Sequence, residues 1–409
     1  MTPTMFQRLV QLALLSLPFA LTACSDSSSA TQTTSVAAPI PNIAPAVAST
    51  DKPIPIPAPP QVQAKGYILL DYISGQTLAS YNDNERLEPA SLTKLMSAYV
   101  VFRALKEHRI KIDDMVTISA HARDQDGSRM FVNVGTQVSV DNLIQGMIVQ
   151  SGNDATVALA EHVAGSEAVF VDLMNQYSQQ LGMAGSHFQD ASGMPGTEHY
   201  TTAHDIGVMS AALIREFPEY YKYYSQRQFT WNNITQANRN GLLERDPTVD
   251  GMKTGHTEAA GYCLVSSAKR DGMRLVSVVM GSPSVRARED ASSALLNFGF
   301  RFFETRRLFA AKDPILSVRL WKGASAETKL GVTQDVYITF PRGQENTLTA
   351  AADVPSPLIA PLSASKSVGK LRILQAGQPA GTYALHPVED TAEAGFFGRV
   401  VDDVKLWMQ

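Results

Sequence analysis

The sequence predicts an α/β catalytic domain, an antiparallel sheet with helices on its faces, followed by a small all-β domain and a C-terminal amphipathic helix. Three observations point there. Strand-like runs near 67–81 and 261–280 flank a block of helical periodicity, so strands distant in sequence share one sheet. From about 306 to 387 the pattern changes to short apolar or alternating runs punctuated by Gly and Pro. From Phe396 to Met408, Phe396, Phe397, Val400, Val401, Val404, Trp407 and Met408 share one helical face, with Arg399, Asp402, Asp403 and Lys405 opposite.

The N-terminus reads as an export segment over 1–24. Arg8 precedes an apolar stretch, Leu9 to Leu21, that is shorter than a bilayer span. It ends in Leu21-Thr22-Ala23-Cys24, which resembles the lipobox of bacterial lipoproteins, where the cysteine takes the lipid. The alternative is an ordinary cleaved signal in which Cys24 is incidental. Residues 25–63 are rich in Ser, Thr, Pro and Ala and read as an extended, disordered tether.

The catalytic domain is expected over 64–304. Tyr67 to Tyr81 forms a strand pair around the turn Ser74-Gly75. Glu88-Pro89-Ala90 signals helix entry, and Leu92, Leu95, Met96, Tyr99, Val100 and Leu105 follow at helical spacing. Leu143 to Gln150 and Ala155 to Val163 are helical runs joined by a short connection. Gly261 to Ala268 and Met273 to Met280 are β-rich runs joined by the hairpin turn Lys269-Arg270-Asp271-Gly272. A long helix runs from about Arg288 to Phe303. The all-β domain, 305–388, carries the runs Ile315–Leu320, Val336–Phe340 and Leu371–Leu374, and 389–409 reads as a membrane-interface tail.

Composition narrows the function. The 409 residues suffice for two domains plus extensions. A formal net charge of −4 with no basic stripe speaks against nucleic-acid binding. Two cysteines, Cys24 and Cys263, make no disulfide framework, and Cys263 in its apolar strand reads as a small core residue.

Three short strings carry the chemistry. Ser91-Leu92-Thr93-Lys94 puts a hydroxyl and an amine on one face of a helix start, where the dipole favours a developing anion. Ser151-Gly152-Asn153 offers a hydroxyl and a carboxamide between two helices. Lys253-Thr254-Gly255 offers an ammonium on a strand, with Gly255 open to close approach by a substrate backbone. Together they read as an acyl-transfer site with a serine nucleophile and no histidine base. His187, His199 and His204 read as surface or loop histidines, since no metal-ligand spacing accompanies them.

On these strings the chain resembles the low-molecular-mass penicillin-binding proteins that act as D-alanyl-D-alanine carboxypeptidases. Pro89 to Lys94, Gln150 to Ala155, Asp250 to Thr257, Asn238 to Leu243, Gly299 to Glu304 and Gly395 to Val400 carry the resemblance, which runs from about Gly66 to the C-terminus. It implies a β-lactamase/transpeptidase fold and a periplasmic, membrane-associated hydrolase of peptidoglycan stem peptides, inhibited by β-lactam antibiotics, with no metal or organic cofactor.

The implied roles are these. Ser91 attacks the carbonyl between two terminal D-alanines, and Lys94 is its base. Burial and Lys253 should both lower the Lys94 pKa from about 10.4. The N–H groups of Ser91 and His256 form the oxyanion hole, and Ser151, oriented by Lys253, relays a proton to the leaving amine. Asn153 meets the substrate amide, and Thr254 with Arg288 holds the terminal carboxylate, with Arg286 as the competing cation. A DD-endopeptidase would use the same residues on cross-linked peptides, and a penicillin sensor would be acylated without turnover. A class A β-lactamase fits less well: no Glu-x-x-x-Asn string stands before Lys253, and a β domain follows.

Overall fold

The computed structural model describes residues 32–39 and 55–408, so the export segment and Cys24 lie outside the described residues. Apart from two short ribbons, Met115–Thr117 with Gln137–Ser139 and Gln228–Trp231 with Ile234–Ala237, the strands among the described residues are β1 (Gln32–Ala38), β2 (Gly66–Asp71), β3 (Thr77–Tyr81), β4 (Val249–Thr257), β5 (Gly261–Arg270), β6 (Met273–Ser282), β7 (Phe303–Phe309), β8 (Pro314–Arg319), β9 (Glu327–Gly331), β10 (Val336–Pro341), β11 (Leu348–Ser356), β12 (Gly369–Gln375) and β13 (Gln378–Pro387). The helices longer than one turn are α1 (Thr93–Lys106), α2 (Val140–Ile148), α3 (Asn153–Ala164), α4 (Glu167–Gln180), α5 (Ala203–Glu216), α6 (Val285–Phe302) and α7 (Phe396–Trp407).

The catalytic sheet is antiparallel, in the order β3-β2-β6-β5-β4. The first two strands pair with the later three across the whole helical block, as the sequence pattern requires. Alternation along β2 shows how both faces are covered. Ile68 and Leu70 pack with α1 and α5, while Tyr67 and Leu69 pack with Leu295, Leu296 and Phe298 of α6. The helical side holds the larger core, with α1 buried along almost its whole length. Burying α1 fixes Ser91 and Lys94, because the first turn cannot shift without disturbing that packing. Cys263 is fully buried, and burial pushes its thiol up to about 11, in keeping with a core residue.

The β domain follows α6 without a linker, since β7 starts at Phe303 and pairs with β10. Thr305 donates to the buried Asp71 at 2.8 Å, and the Ser74 and Thr339 hydroxyls lie 2.6 Å apart, so the turn after β2 is tied to the β domain. The expected strands at 315–320, 336–340 and 371–374 are present as β8, β10 and β12. The sequence reading passed over β9, β11 and β13, the last of which carries Gly and Pro.

Two boundaries differ from expectation. Within the 25–63 stretch read as a free tether, Gln32–Ala38 is β1, an edge strand of the β domain paired in antiparallel register with β11. Its Thr and Val content suits a strand, and the open edge of β11 supplies backbone partners that composition alone does not reveal. Residues 389–394, assigned to the tail, instead bridge back to the β domain at Gly323 and Leu362. The tail proper is α7. Its polar face is clasped to the β domain. Asp402 accepts the Lys322 N–H at 2.7 Å, and Asp403 pairs with the Lys322 ammonium at 2.5 Å. The apolar face points outward, leaving Phe397 84% and Trp407 87% exposed.

Candidate active site

Ser91 lies in a single 3-10 turn, Ala90–Leu92, that runs directly into α1. Ala90, the first residue of this turn, adopts φ +47, a left-handed conformation at the entry to the nucleophile turn. Lys94, one turn on, brings Nζ to 3.0 Å from Ser91 Oγ. The amine is fully buried. It donates to Asn153 Oδ1 at 2.6 Å and to the Ser192 carbonyl at 2.7 Å.

Ser151 sits in the connection between α2 and α3 at φ +60, and Asn153 opens α3. Lys253 on β4 donates to Ser151 Oγ at 2.9 Å and to the Thr254 carbonyl at 3.0 Å. Ser91 and Ser151 therefore each have a lysine on the hydroxyl. One cavity of about 640 Å³ is lined by Ser91, Ser128, Ser151, Arg239, Thr254 and Arg288, and reaches Gly255, His256 and Tyr262. The three sequence strings thus converge on one cavity.

Charge in the site is finely balanced. Burial lowers the Lys94 pKa, Asp190 and Asp154 oppose the fall and Arg239 adds to it, which leaves the amine at about 7. Burial also holds Lys253 well below the usual lysine range, and Lys94, Arg239 and Arg288 push the same way. With its pKa at about 7, Lys94 is partly neutral near neutral pH.

Several expected roles shift. Asn153 is engaged at both ends of its carboxamide, by Lys94 and by the Asp126 carbonyl at 2.5 Å, so in this state it orients Lys94. A Cβ at Gly255 would lie 3.0 Å from the Pro89 carbonyl oxygen and 3.2 Å from Leu92 N. The missing side chain therefore lets β4 close on the nucleophile turn, while Gly255 also lines the cavity. Arg288 lines the cavity, buried, donating to the Gly255 and Cys263 carbonyls at 3.3 and 3.4 Å. Arg286 is exposed and paired with Asp290, away from the cavity. Arg239, which lies in the Asn238–Leu243 string but has no role assigned from the sequence, also lines the cavity, and burial lowers its pKa.

Other residues were also missed. Asp154 is buried, and its carboxylate accepts the N–H groups of Met130, Phe131, Val132 and Ala155 at 2.7–3.2 Å, pinning the segment that follows the cavity residues Gly127 and Ser128. Asp190 does the same for Ser192 and Gly193 at 2.7 and 2.6 Å. Spacing gives no sign of either, because both act on backbone far from the motifs. His187 and His204 are partly exposed, whereas His199 lies in a loop but is buried, its side chain 1% exposed. Among the described residues no His, Cys, Asp or Glu cluster could hold a metal, and no helix is long and apolar enough to cross a membrane.

Comparison with known proteins fits this geometry. The sequence pattern of the D-alanyl-D-alanine carboxypeptidase family matches residues 54–284, and that of the penicillin-binding protein 5 C-terminal domain matches 303–393. The D-alanyl-D-alanine carboxypeptidase DacA of Haemophilus influenzae is 45% identical over 350 residues, 84% of this chain and 89% of that protein. The DacA of Escherichia coli K12 is 43% identical over 359 residues, 86% of this chain and 89% of that protein. Among solved structures, penicillin binding protein 5 from Haemophilus influenzae aligns with a TM-score of 0.80 at 44% identity, over 82% of this chain and 99% of that one.

Proposed function

Because the chain belongs to the D-alanyl-D-alanine carboxypeptidase family of penicillin-binding serine hydrolases, we propose that it removes the terminal D-alanine from peptidoglycan pentapeptide stems through a Ser91 acyl-enzyme. One observation carries the mechanism. A neutral amine has two N–H groups and one lone pair. Two partners of Lys94, Asn153 Oδ1 and the Ser192 carbonyl, can only accept, so they take both N–H groups. The lone pair is left for the third neighbour, the Ser91 hydroxyl.

Lys94 then takes the Ser91 proton as Oγ bonds to the penultimate D-alanine carbonyl carbon. The oxyanion meets the N–H groups of Ser91 and His256, donors worth roughly 3–4 kcal/mol in acyl-transfer sites. As the C–N bond breaks, the proton held by Lys94 passes through the Ser151 hydroxyl to the leaving amine, which leaves Lys94 neutral again, and Lys253 keeps that hydroxyl aligned. Water, deprotonated by Lys94, attacks the ester, and the proton returns to Ser91. Arg239 and Arg288 with Thr254 hold the terminal carboxylate. A β-lactam amide mimics the scissile bond and leaves a stable adduct on Ser91.

The site acts outside the cytoplasmic membrane, where the export segment delivers it. Attachment uses the outward apolar face of α7, and Cys24 carries a lipid. Gln32 pairs with Ser356, two residues before Leu358, whose carbonyl accepts the N–H of Trp321, the neighbour of the α7 clasp residue Lys322. Both anchors therefore leave the same end of the β domain, and two weak anchors hold far better than one.

The deciding experiment measures D-alanine release from a pentapeptide against cleavage of a cross-linked dimer, with intact-mass detection of the penicillin adduct. Release with a single adduct, absent in Ser91→Ala, is expected. Preferential dimer cleavage would make the chain an endopeptidase, and an adduct without turnover would make it a sensor.

A further inference from the structure

His199 stands behind the nucleophile helix and has two polar partners. Its Nε2 lies 2.9 Å from Thr93 Oγ1, and its Nδ1 lies 3.1 Å from Asp190 Oδ2. The ring meets Phe188 edge-on, with centroids 5.9 Å apart. A neutral ring that gives Nδ1–H to the carboxylate leaves Nε2 to accept the Thr93 hydroxyl. Thr93 is fully buried and is the residue immediately before Lys94.

The second oxygen of Asp190 does different work. Oδ1 accepts the N–H groups of Ser192 and Gly193, with Met194 N also in reach at 3.3 Å. These bonds curl the loop so that the Ser192 carbonyl faces the Lys94 amine. The neighbouring Ala191 carbonyl accepts from Ser97 Oγ at 2.5 Å. Gly193 is at φ +92, and a Cβ there would fall 1.8 Å from the Ala90 carbonyl oxygen, so the loop is pressed against the nucleophile turn. The loop thus meets α1 at Thr93 through His199, at Lys94 through Ser192, and at Ser97.

We propose that Asp190 and His199 are positioning residues for acylation, locking the Ser192 carbonyl and Thr93 so that Lys94 keeps its lone pair on Ser91. The inference rests on the serine acylation reading above. If the Ser192 carbonyl turns away, the amine loses one of its two acceptors and the lone pair no longer has a fixed direction. The Asp190 carboxylate has a second effect, through charge. Asp190 and Asp154 favour the Lys94 ammonium, while burial and Arg239 oppose it. Neutralising Asp190 lets Lys94 shed its proton at lower pH.

The test is the acylation rate with a chromogenic cephalosporin, measured across the neutral range for wild type, Asp190→Asn, His199→Phe, Thr93→Val and Thr93→Ser. The amount of protein labelled at saturation counts the folded sites. Asp190→Asn should acylate about tenfold more slowly, and the midpoint of its acidic limb should fall by about half a pH unit or more. His199→Phe and Thr93→Val should slow acylation about tenfold with the limb unmoved, and Thr93→Ser, which keeps the hydroxyl, should recover most of the rate. An unmoved limb in Asp190→Asn reduces Asp190 to a loop staple and overturns its part. Wild-type rates in His199→Phe and Thr93→Val overturn the part of His199. If Asp190→Asn does not fold, the two Thr93 variants decide, since equal rates for Val and Ser refute the lock. A wild type that takes no label at Ser91 refutes the acylation reading itself, a distinct result.

Discussion

Lys253 donates to Ser151 across 102 residues of sequence, from a sheet strand to the junction of two helices. Because the ammonium has no acceptor site, Ser151 must accept, which frees its own proton to point into the cavity. Replacing Lys253 by Arg keeps a cation but not this compact geometry, so acylation should fall by about tenfold to a hundredfold. Lys94→Arg keeps a charge and loses the base, and should fall by about 10²–10⁴. Rates with a chromogenic β-lactam separate the two, and wild-type acylation in Lys94→Arg would move the base elsewhere.

Acylation should follow the neutral form of Lys94. With a pKa lowered to about 7 by burial, the rate should rise with pH through neutrality and level off above it. The sign is set because the base works only without its proton. A rate flat from mildly acid to mildly alkaline pH would contradict this.

Arg239 and Arg288 should differ. Arg288 lines the cavity and is also held by the Gly255 and Cys263 carbonyls, so Arg288→Ala should weaken acid peptides most and, by loosening β4, slow amidated ones as well. Arg239 also faces the cavity, and Arg239→Ala should selectively weaken peptides with a free terminal carboxylate. Comparing kcat/KM on acid and amidated peptides tests this. Equal losses on both in Arg239→Ala would remove it from carboxylate recognition.

Asp154→Ala should be the most destabilising change at the site. Its buried carboxylate serves the N–H groups of Met130, Phe131, Val132 and Ala155, and orphaning them should cost roughly 2–4 kcal/mol. Urea unfolding measures it, and a loss under about 1 kcal/mol would show that water replaces the carboxylate.

Membrane attachment should depend on Phe397 and Trp407 together with Cys24. Flotation with anionic vesicles should weaken in Phe397→Glu with Trp407→Glu, and fractionation from cells should show a further loss when Cys24→Ala is added. If cells incorporate no labelled palmitate and Cys24→Ala stays as membrane-bound as wild type, the tail alone anchors the chain.

Local signals made much of the protein legible. Ser91 and Lys94 are one helical turn apart, so α1 alone brings them together, and the periodicity around Leu95, Met96 and Tyr99 announces that helix. The tail declared its two faces, and the hairpin of β5 and β6 its turn. What the sequence could not decide depends on contacts between distant backbone segments. Asp190 and Asp154 act on N–H groups that leave no residue pattern. Gly255 looks open along the strand and is closed by the Pro89–Leu92 turn. β1 is polar enough to pass for tether until the edge of β11 supplies its partners. The His199 environment likewise arises only when residues near 93, 190 and 199 are packed together. Side-chain periodicity records which face a residue buries, but not which backbone group waits on the other side.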